Sequence, residues 1–354
     1  MTPRLRTSAS GLDKDTCPTP ESNPGPVDSL YSKSVITRTF FIDGGKAYRI
    51  PLNDGNSIPA IGLGTFLGFG EVIEKVVEEA VKRALDAGYR LIDTAAVYEN
   101  EDQVGAGVRA SSVSRENVFV VTKLDSELQR TPVESLRNSL KRLNMTYVDL
   151  YLIHTPMTFK GDNVDVVDYL DTWKGMVEAK KLGLAKSIGV SNFNISQIER
   201  ILANSDVKPA VQQVEVNLNL GQDRLIEFCK SKGIVIMAYT PFGSLFSKNT
   251  SPPPPRADDP VLVDIARKYK KTTPQIALRY LVQRGVVPIP KSVNEHRIEE
   301  NIDVFNFELT AEEMETLSKF NKDFRTVNMS FWQDHPYYPF ERQDVPGPNP
   351  FEGL

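Results

Sequence analysis

Residues 90–124 read RLIDTAAVYENEDQVGAGVRASSVSRENVFVVTKL. RLID and VFVVT are short β-rich runs, and the segment between them is long enough for a helix, so the stretch is one βα unit leading into the next strand. Its middle spells Gly105-x-Gly107-x-x-Ala110, on paper a dinucleotide fingerprint. Such a fingerprint acts when a strand leads straight into the glycine turn and the following helix receives the pyrophosphate. Here the glycines follow the polar run YENEDQV, so they read as points where a helix packs closely on a neighbour. A second candidate, Gly62-x-Gly64, has Leu67 where the third glycine belongs and reads as a tight β-turn.

The same alternation extends in both directions. Upstream, Val72, Val76, Val77, Ala80, Val81, Ala84 and Leu85 recur at helical spacing until Gly88 stops them. Downstream, Thr131-Pro132-Val133-Glu134 predicts a capping box opening a helix with a stripe of Leu136, Leu140 and Leu143. Then come YVDLYLI (147–153), a helix near 165–181, LAKSIGV (184–190), a helix near 195–203, AVQQVEV (210–216), a helix near 222–232, IVIMAY (234–239) and VVPIP (286–290). With IGLG (61–64) these make eight β-runs, which fit a closed barrel or a long doubly wound sheet. The failed fingerprints favour an α/β fold of the (β/α)₈ TIM barrel type. No tyrosine is followed four residues later by lysine, so the Tyr-x-x-x-Lys pair of short-chain dehydrogenases is absent.

The stretch SLFSKNTSPPPPRADDP (244–260) would ordinarily be a stiff linker at a domain boundary. Because another βα unit follows and completes the count, it is expected to be a loop inserted in the barrel. Residues 310–319 predict an extra C-terminal helix, and SFWQDHPYYPF (330–340) is too apolar for a simple disordered tail. The first residues, rich in Pro, Ser and Thr, predict a disordered extension over 1–35 ahead of one barrel domain over 36–354. A transit peptide is the rival, suggested by Arg4, Arg6 and Ser8 and opposed by Asp13, Asp15 and Glu21.

Hydrophobic residues make up 40% of the 354, charged residues 25%, and the formal charge is −4. That composition supports a buried core without staples and carries no basic footprint for nucleic acid or anionic lipid. No apolar run approaches the ~20 residues of a membrane span. Cys17 and Cys229 are the only cysteines, and His154, His296 and His335 the only histidines. No metal site is expected, and the chain is expected to be cytoplasmic and monomeric.

In a barrel the active site lies at the C-terminal ends of the strands. Polar residues ending β-runs are Asp93, Lys123, His154, Asn192, Gln213, Tyr239 and Lys291. Each alone has a plain explanation, such as a helix cap or a satisfied core histidine; together they converge on one barrel mouth. The segments LIDTAAVYENE, VFVVTKL, DLYLIH, SIGVSNF, QQVEVN, AYTPFGS and IPKSVNEHRIEEN resemble, in order, the signature motifs of the aldo-keto reductase superfamily, from about residue 48 to the C-terminus.

That resemblance implies a catalytic tetrad of Asp93, Tyr98, Lys123 and His154, and NADPH as cofactor. Ser191, Asn192 and Gln213 would hold the nicotinamide carboxamide, and Tyr239, followed by Thr240, would stack on the ring. Lys291, Ser292, Asn294 and Arg297 open the last short helix, where backbone N–H groups and basic side chains suit the 2′-phosphate; Glu300 and Asn301 would meet the adenine. The family's bottom hairpin would be TFFIDGGKAYRI (39–50). Reducing a carbonyl requires a proton donor where negative charge grows on oxygen. Tyr98 fits, with the Lys123 ammonium expected to lower its pKa, Asp93 to hold Lys123 charged, and His154 to orient the substrate oxygen.

Thr155 and Phe66 stand where many relatives carry tryptophan. With Phe331, Trp332 and Tyr337 they are expected to line a widened substrate pocket. VEVNLNL, Thr155 and HPYYPF resemble insect members of the family, some of which reduce ecdysteroid ketones such as 3-dehydroecdysone, implying a role in steroid metabolism. The alternatives are a broad aldehyde reductase and a non-catalytic NADPH-binding regulatory module on the same barrel.

Overall fold

The computed structural model of the chain describes residues 45–68, 73–161, 163–248 and 251–347. The expected extension over 1–35, the boundary at residue 36 and residues 39–44 of the expected hairpin lie outside them.

The first described strands, β1 (Arg49–Pro51) and β2 (Ser57–Pro59), pair antiparallel, Ile50 opposite Ile58. Arg49 and Ile50, the last residues of the expected hairpin, therefore pair with a strand that follows it. The glycine that lets the chain turn between these strands is Gly55 at φ 89°, a conformation L-residues avoid.

Eight of the strands that follow are β3 (Leu63–Gly64), β4 (Leu91–Asp93), β5 (Phe119–Leu124), β6 (Val148–Ile153), β9 (Ala185–Ser191), β10 (Val211–Glu215), β11 (Val235–Tyr239) and β12 (Val287–Pro288). They lie in this order in one sheet, every neighbouring pair parallel. The sheet closes on itself: Gly62 donates its N–H to the Pro288 carbonyl at 3.0 Å, Gly64 donates to Pro290 at 3.1 Å, and Gly64 bridges Lys291 in parallel. A Cβ on Gly64 would come within 2.9 Å of the Ile289 carbonyl oxygen, so the seam demands glycine.

The helices are α1 (Val76–Ala87), α2 (Glu101–Ala110), α3 (Pro132–Leu143), α4 (Tyr169–Lys181), α5 (Ile195–Asn204), α6 (Asp223–Ser231), α7 (Pro260–Tyr269), α8 (Thr273–Gln283), α9 (Glu295–Ile302) and the extra α10 (Ala311–Ser318). Val72 of the expected first stripe lies outside the described residues. Gly105 and Gly107 are helix contacts, as read. Cβ atoms there would fall 2.0 Å from the Leu143 carbonyl oxygen and 2.5 Å from that of Glu78, so α2 lies hard against its neighbours. The capping box expected at Thr131 does not form; its hydroxyl turns back to the Leu128 carbonyl, while Pro132 occupies the first turn. The helix expected near 165 starts at Tyr169 because β7 (Thr158–Lys160) and β8 (Asn163–Asp165) form an antiparallel hairpin first.

Side chains alternate along each strand. Leu91, Phe119, Val121, Leu150, Leu152, Val211, Val235 and Met237 fill the barrel interior, plugged from below by Leu52 and Ile58. Ile92, Val120, Tyr151, Ile153, Val214 and Ile236 face outward into the helix layer. Fully burying one such aliphatic or aromatic side chain stabilises by about 1.5–3 kcal/mol. Among the described residues no helix is long and apolar enough to cross a membrane, and no metal-binding cluster of His, Cys, Asp and Glu occurs.

Candidate active site

The alternation that fills the barrel also places the polar residues. Asp93 is two positions above the inward-facing Leu91, Lys123 above Val121, His154 above Leu152, Gln213 above Val211 and Tyr239 above Met237. A period of two aims all five side chains at the mouth.

At the centre, the fully buried Lys123 ammonium donates to Asp93 Oδ1 at 2.6 Å, to the Thr94 carbonyl at 2.9 Å and to Tyr98 Oη at 3.3 Å. An ammonium has three donors and no acceptor, so all three are used. The Tyr98 oxygen accepts from Lys123, which leaves the phenolic proton to point elsewhere. The second Asp93 oxygen accepts from Gln213 Nε2 at 2.8 Å. Tyr98 comes from the short turn Ala96–Tyr98, which is braced from behind: Thr94 donates to Asn100 Oδ1, Asn100 Nδ2 to the Thr65 carbonyl, and Thr65 Oγ1 to the Asp93 carbonyl, each within 3.0 Å. Nothing in the sequence marks this brace beyond the polar residues of TAAVYEN.

The electrostatics differ from expectation at Tyr98. Burial raises the phenol more than the Lys123 ammonium lowers it, with Asp93 adding to the rise, so Tyr98 lies above its ordinary value. Burial works against the Lys123 charge too, but Asp93 and Tyr98 outweigh it and hold the ammonium above its usual value. The group is therefore a fully loaded acid beside a permanent cation. The half-buried His154 ring lies edge-on to Tyr98, with centroids 5.8 Å apart. Burial and the nearby Lys123 push its imidazole down to about 3, so it is neutral at pH 7 and offers one N–H.

Beside this group, Tyr239 Oη donates to Asn192 Oδ1 at 2.9 Å, and Asn192 Nδ2 donates to the His154 carbonyl at 2.9 Å and to Ser191 Oγ at 3.3 Å. Asn192 and Thr240 both have positive φ, 60° and 47°. Gln213 was expected to address a ligand; its amide nitrogen instead orients Asp93, which leaves its carbonyl oxygen to receive an amide N–H. Further round the rim, the bridge between Gly64 and Lys291 puts the 291–301 segment next to β3, itself the neighbour of Asp93. Asn294 caps α9 by accepting from the Arg297 N–H at 3.1 Å, and Ser292 Oγ accepts from the Asn294 N–H at 3.1 Å. The Lys291 and Arg297 side chains are exposed and Asn301 is buried. Glu300 accepts from the Thr272 hydroxyl at 2.6 Å.

Of the expected pocket residues, Phe66 packs on Tyr98 with ring centroids 4.9 Å apart, and Thr155 follows His154. The buried Gln129, which the sequence did not single out, fixes the Thr155 wall by donating to the carbonyls of Thr155 and Met157 at 2.7 and 2.8 Å. Trp332 stacks on Phe159 of β7 at 3.7 Å, with Phe331 against it at 4.6 Å. Tyr337 packs edge-on to Tyr169 of α4. The contact ties the tail to the helix layer.

The aldo/keto reductase family profile matches residues 60–322. Aldo-keto reductase AKR2E4 of Bombyx mori is 50% identical over 300 residues, spanning 82% of this chain and 97% of that protein. Its crystal structure in complex with NADP superposes with a TM-score of 0.79 over 83% of this chain and 99% of that one, at 49% identity. A crystal structure of AKR2E5, also of Bombyx mori, complexed with NADPH gives 0.82 at 42% identity, covering 86% of this chain and 97% of that one. Estradiol 17 beta-dehydrogenase 5 of Mus musculus is 44% identical over 317 residues, 83% of this chain and 98% of that protein.

Proposed function

Since this chain belongs to the aldo-keto reductase family, we propose that it uses NADPH to reduce an aldehyde or ketone to the alcohol, with Asp93, Tyr98, Lys123 and His154 carrying the chemistry. The observation that carries the proposal is the saturated Lys123 ammonium, held by Asp93 and donating to Tyr98. When bound, the reduced nicotinamide supplies a hydride to the carbonyl carbon. Tyr98 gives its proton to the carbonyl oxygen as charge grows there. An alkoxide is a far stronger base than a phenolate, so the transfer runs downhill even from a raised phenol. Lys123 stabilises the phenolate that results, and Asp93 keeps the lysine charged and in place. The neutral His154 donates its N–H to the same oxygen and fixes the carbonyl's orientation.

Ser191, Asn192 and the Gln213 carbonyl suit a carboxamide, and the Tyr239 ring offers a flat apolar face tied down through its hydroxyl. Asn294, Ser292 and the exposed Lys291 and Arg297 at the start of α9 suit a phosphate, with Glu300 and Asn301 left for the adenine. The cofactor named in the two silkworm structures matches this donor set.

For the substrate we propose a bulky, rigid ketone of steroid size. Thr155, in place of an indole that can bury on the order of 200 Å², widens the wall beside His154, and Phe66 and the Phe331–Trp332 pair give apolar lining. One relative's name is that of an estradiol dehydrogenase, which agrees with this class. Stopped-flow oxidation of NADPH with a small aldehyde and with a steroid-sized ketone, on the wild type and on Thr155→Trp, tests both levels. No oxidation with either would leave a cofactor-binding module. An equal change for both substrates in Thr155→Trp would leave a broad aldehyde reductase.

A further inference from the structure

Among the described residues, Asp93, Glu101, Asp149 and Glu215 are the buried carboxylates. The first three each have a cation in reach: Lys123, Arg142, and Arg115 with Lys186. Glu215 has no ion-pair partner among the described residues. Its oxygens accept from neutral donors only, Oε1 from Asn217 Nδ2 at 3.1 Å and the Thr326 N–H at 2.9 Å, Oε2 from the Val327 N–H at 2.8 Å. A buried carboxylate is costly unless hydrogen bonds replace its hydration. Two of the three replacements come from the backbone of the C-terminal tail, so the tail's position and the burial of this charge are one commitment.

The other side of Glu215 leads to the cofactor-side loop. Asn217 Nδ2 also donates to the Thr240 carbonyl at 3.2 Å, where Thr240 is held at positive φ, a rare state for a β-branched residue that its surroundings must enforce. Asn217 Oδ1 accepts from the Asn219 and Leu220 N–H groups at 2.9 and 3.0 Å. Asn219 Oδ1 accepts from the N–H and hydroxyl of Ser244 at 3.0 and 2.7 Å, its Nδ2 donates to the Pro254 carbonyl at 2.7 Å, and its own carbonyl receives the N–H groups of Lys322 and Phe324 at 3.0 and 3.1 Å. The loop sits so close that a Cβ on Gly243 would come within 2.7 Å of Asn217 and Asn219. The sequence trace is the alternation in VEVNLNL: Val214, Val216 and Leu218 face the helix layer while Glu215, Asn217 and Asn219 form the ladder.

We propose that Glu215 is a positioning residue which, through Asn217 and Asn219, couples the loop leaving Thr240 to tail residues 322–327, so that cofactor retention and substrate selection are set together. The inference rests on the reductase reading above. Two variants test it from opposite ends, with NADPH release followed by stopped-flow fluorescence and KM measured for a steroid-sized ketone. Glu215→Gln, nearly isosteric, turns an amide against a tail N–H and is expected to raise the ketone KM and also to speed NADPH release, each at least about fivefold, the low end of ordinary coupling. Ser244→Ala, a mild change that touches no tail residue, is expected to speed release and also to raise the ketone KM. The effects in the double variant are expected to be non-additive. The coupling is overturned if each variant moves only the property of its own side, if the effects add, or if Glu215→Gln changes only thermal stability or the single-turnover rate with a small aldehyde. Should Glu215→Gln not fold, the cross-effect of Ser244→Ala decides alone. A wild type that does not bind NADPH would sink the reductase reading itself, whereas normal wild-type turnover with unmoved variants sinks only the coupling.

Discussion

The floor of the mouth and its outer rim handle charge in opposite ways. At the floor, Asp93 and Lys123 are 2% and 0% exposed and paired at 2.6 Å; every lysine donor is used before any ligand arrives. At the rim, Lys291 and Arg297 stand in solvent at the start of α9, and in the proposed function the ligand brings the counter-charge. Chemistry that depends on a proton at one atom needs donors fixed in advance in a low-dielectric setting. Recognition of a phosphate needs cations that shed water only when the anion arrives.

The sharpest way to break the contrast is to remove one charge from each region. Lys123→Met leaves the Asp93 carboxylate buried and unpaired, which is expected to cost about 3–5 kcal/mol of stability and to abolish turnover. Urea unfolding checks the first, and the Asp93→Asn, Lys123→Met double variant should regain stability without regaining turnover. Tyr98→Phe removes only the acid: turnover is expected to fall ~10²–10⁴-fold with NADPH titration unchanged, and a variant keeping more than about a third of wild-type turnover excludes Tyr98 from the role. Arg297→Ala should weaken NADPH by about 10- to 150-fold through one lost charge-assisted bond while leaving NADH nearly untouched; equal weakening in a fluorescence titration would move the phosphate site elsewhere.

The smallest effect concerns pH. With its imidazole pushed down to about 3, His154 keeps one charge state between pH 5 and 8, so the turnover profile in that range is expected to lack an inflection that His154→Gln removes. The stability sign follows: the unfolded chain, with a histidine value of about 6.5, binds the extra proton first. This residue therefore subtracts stability as pH falls from about 6.5 toward 3, measurable as a smaller acid destabilisation in His154→Gln.

The strand ends were the most readable part of the site. Lys123 and Gln213 continue the two-residue period of Phe119–Val121 and Val211, and the barrel converts that parity into convergence. The failure of the glycine fingerprint was equally readable, because Gly105 and Gly107 lacked a strand before them. What escaped was set by distant partners. The partner of Arg49–Pro51 is set by the turn at Gly55, and Thr131 found the Leu128 carbonyl in place of a cap. The net rise at Tyr98 needed the depth of burial, which no spacing encodes. Glu215 was hidden because two of its three partners lie 111 and 112 residues away and are backbone groups, which leave no mark on residue identity.

The seam that closes the sheet has a consequence for assembly of the chain. Across it Gly62 and Gly64 donate to the carbonyls of Pro288 and Pro290, and neither proline has an N–H to return. Until closure, the last strand is an open sheet edge, the kind of edge that recruits strands from other chains. Pro288 and Pro290 strip that edge of donors at the two positions where the first strand will dock, so it can be met by a strand that gives N–H groups but cannot give any back there. The two donor-less positions thereby guard the unfinished barrel against self-association, and the Gly62 and Gly64 amides become the natural hydrogen-exchange reporters of the seam's opening.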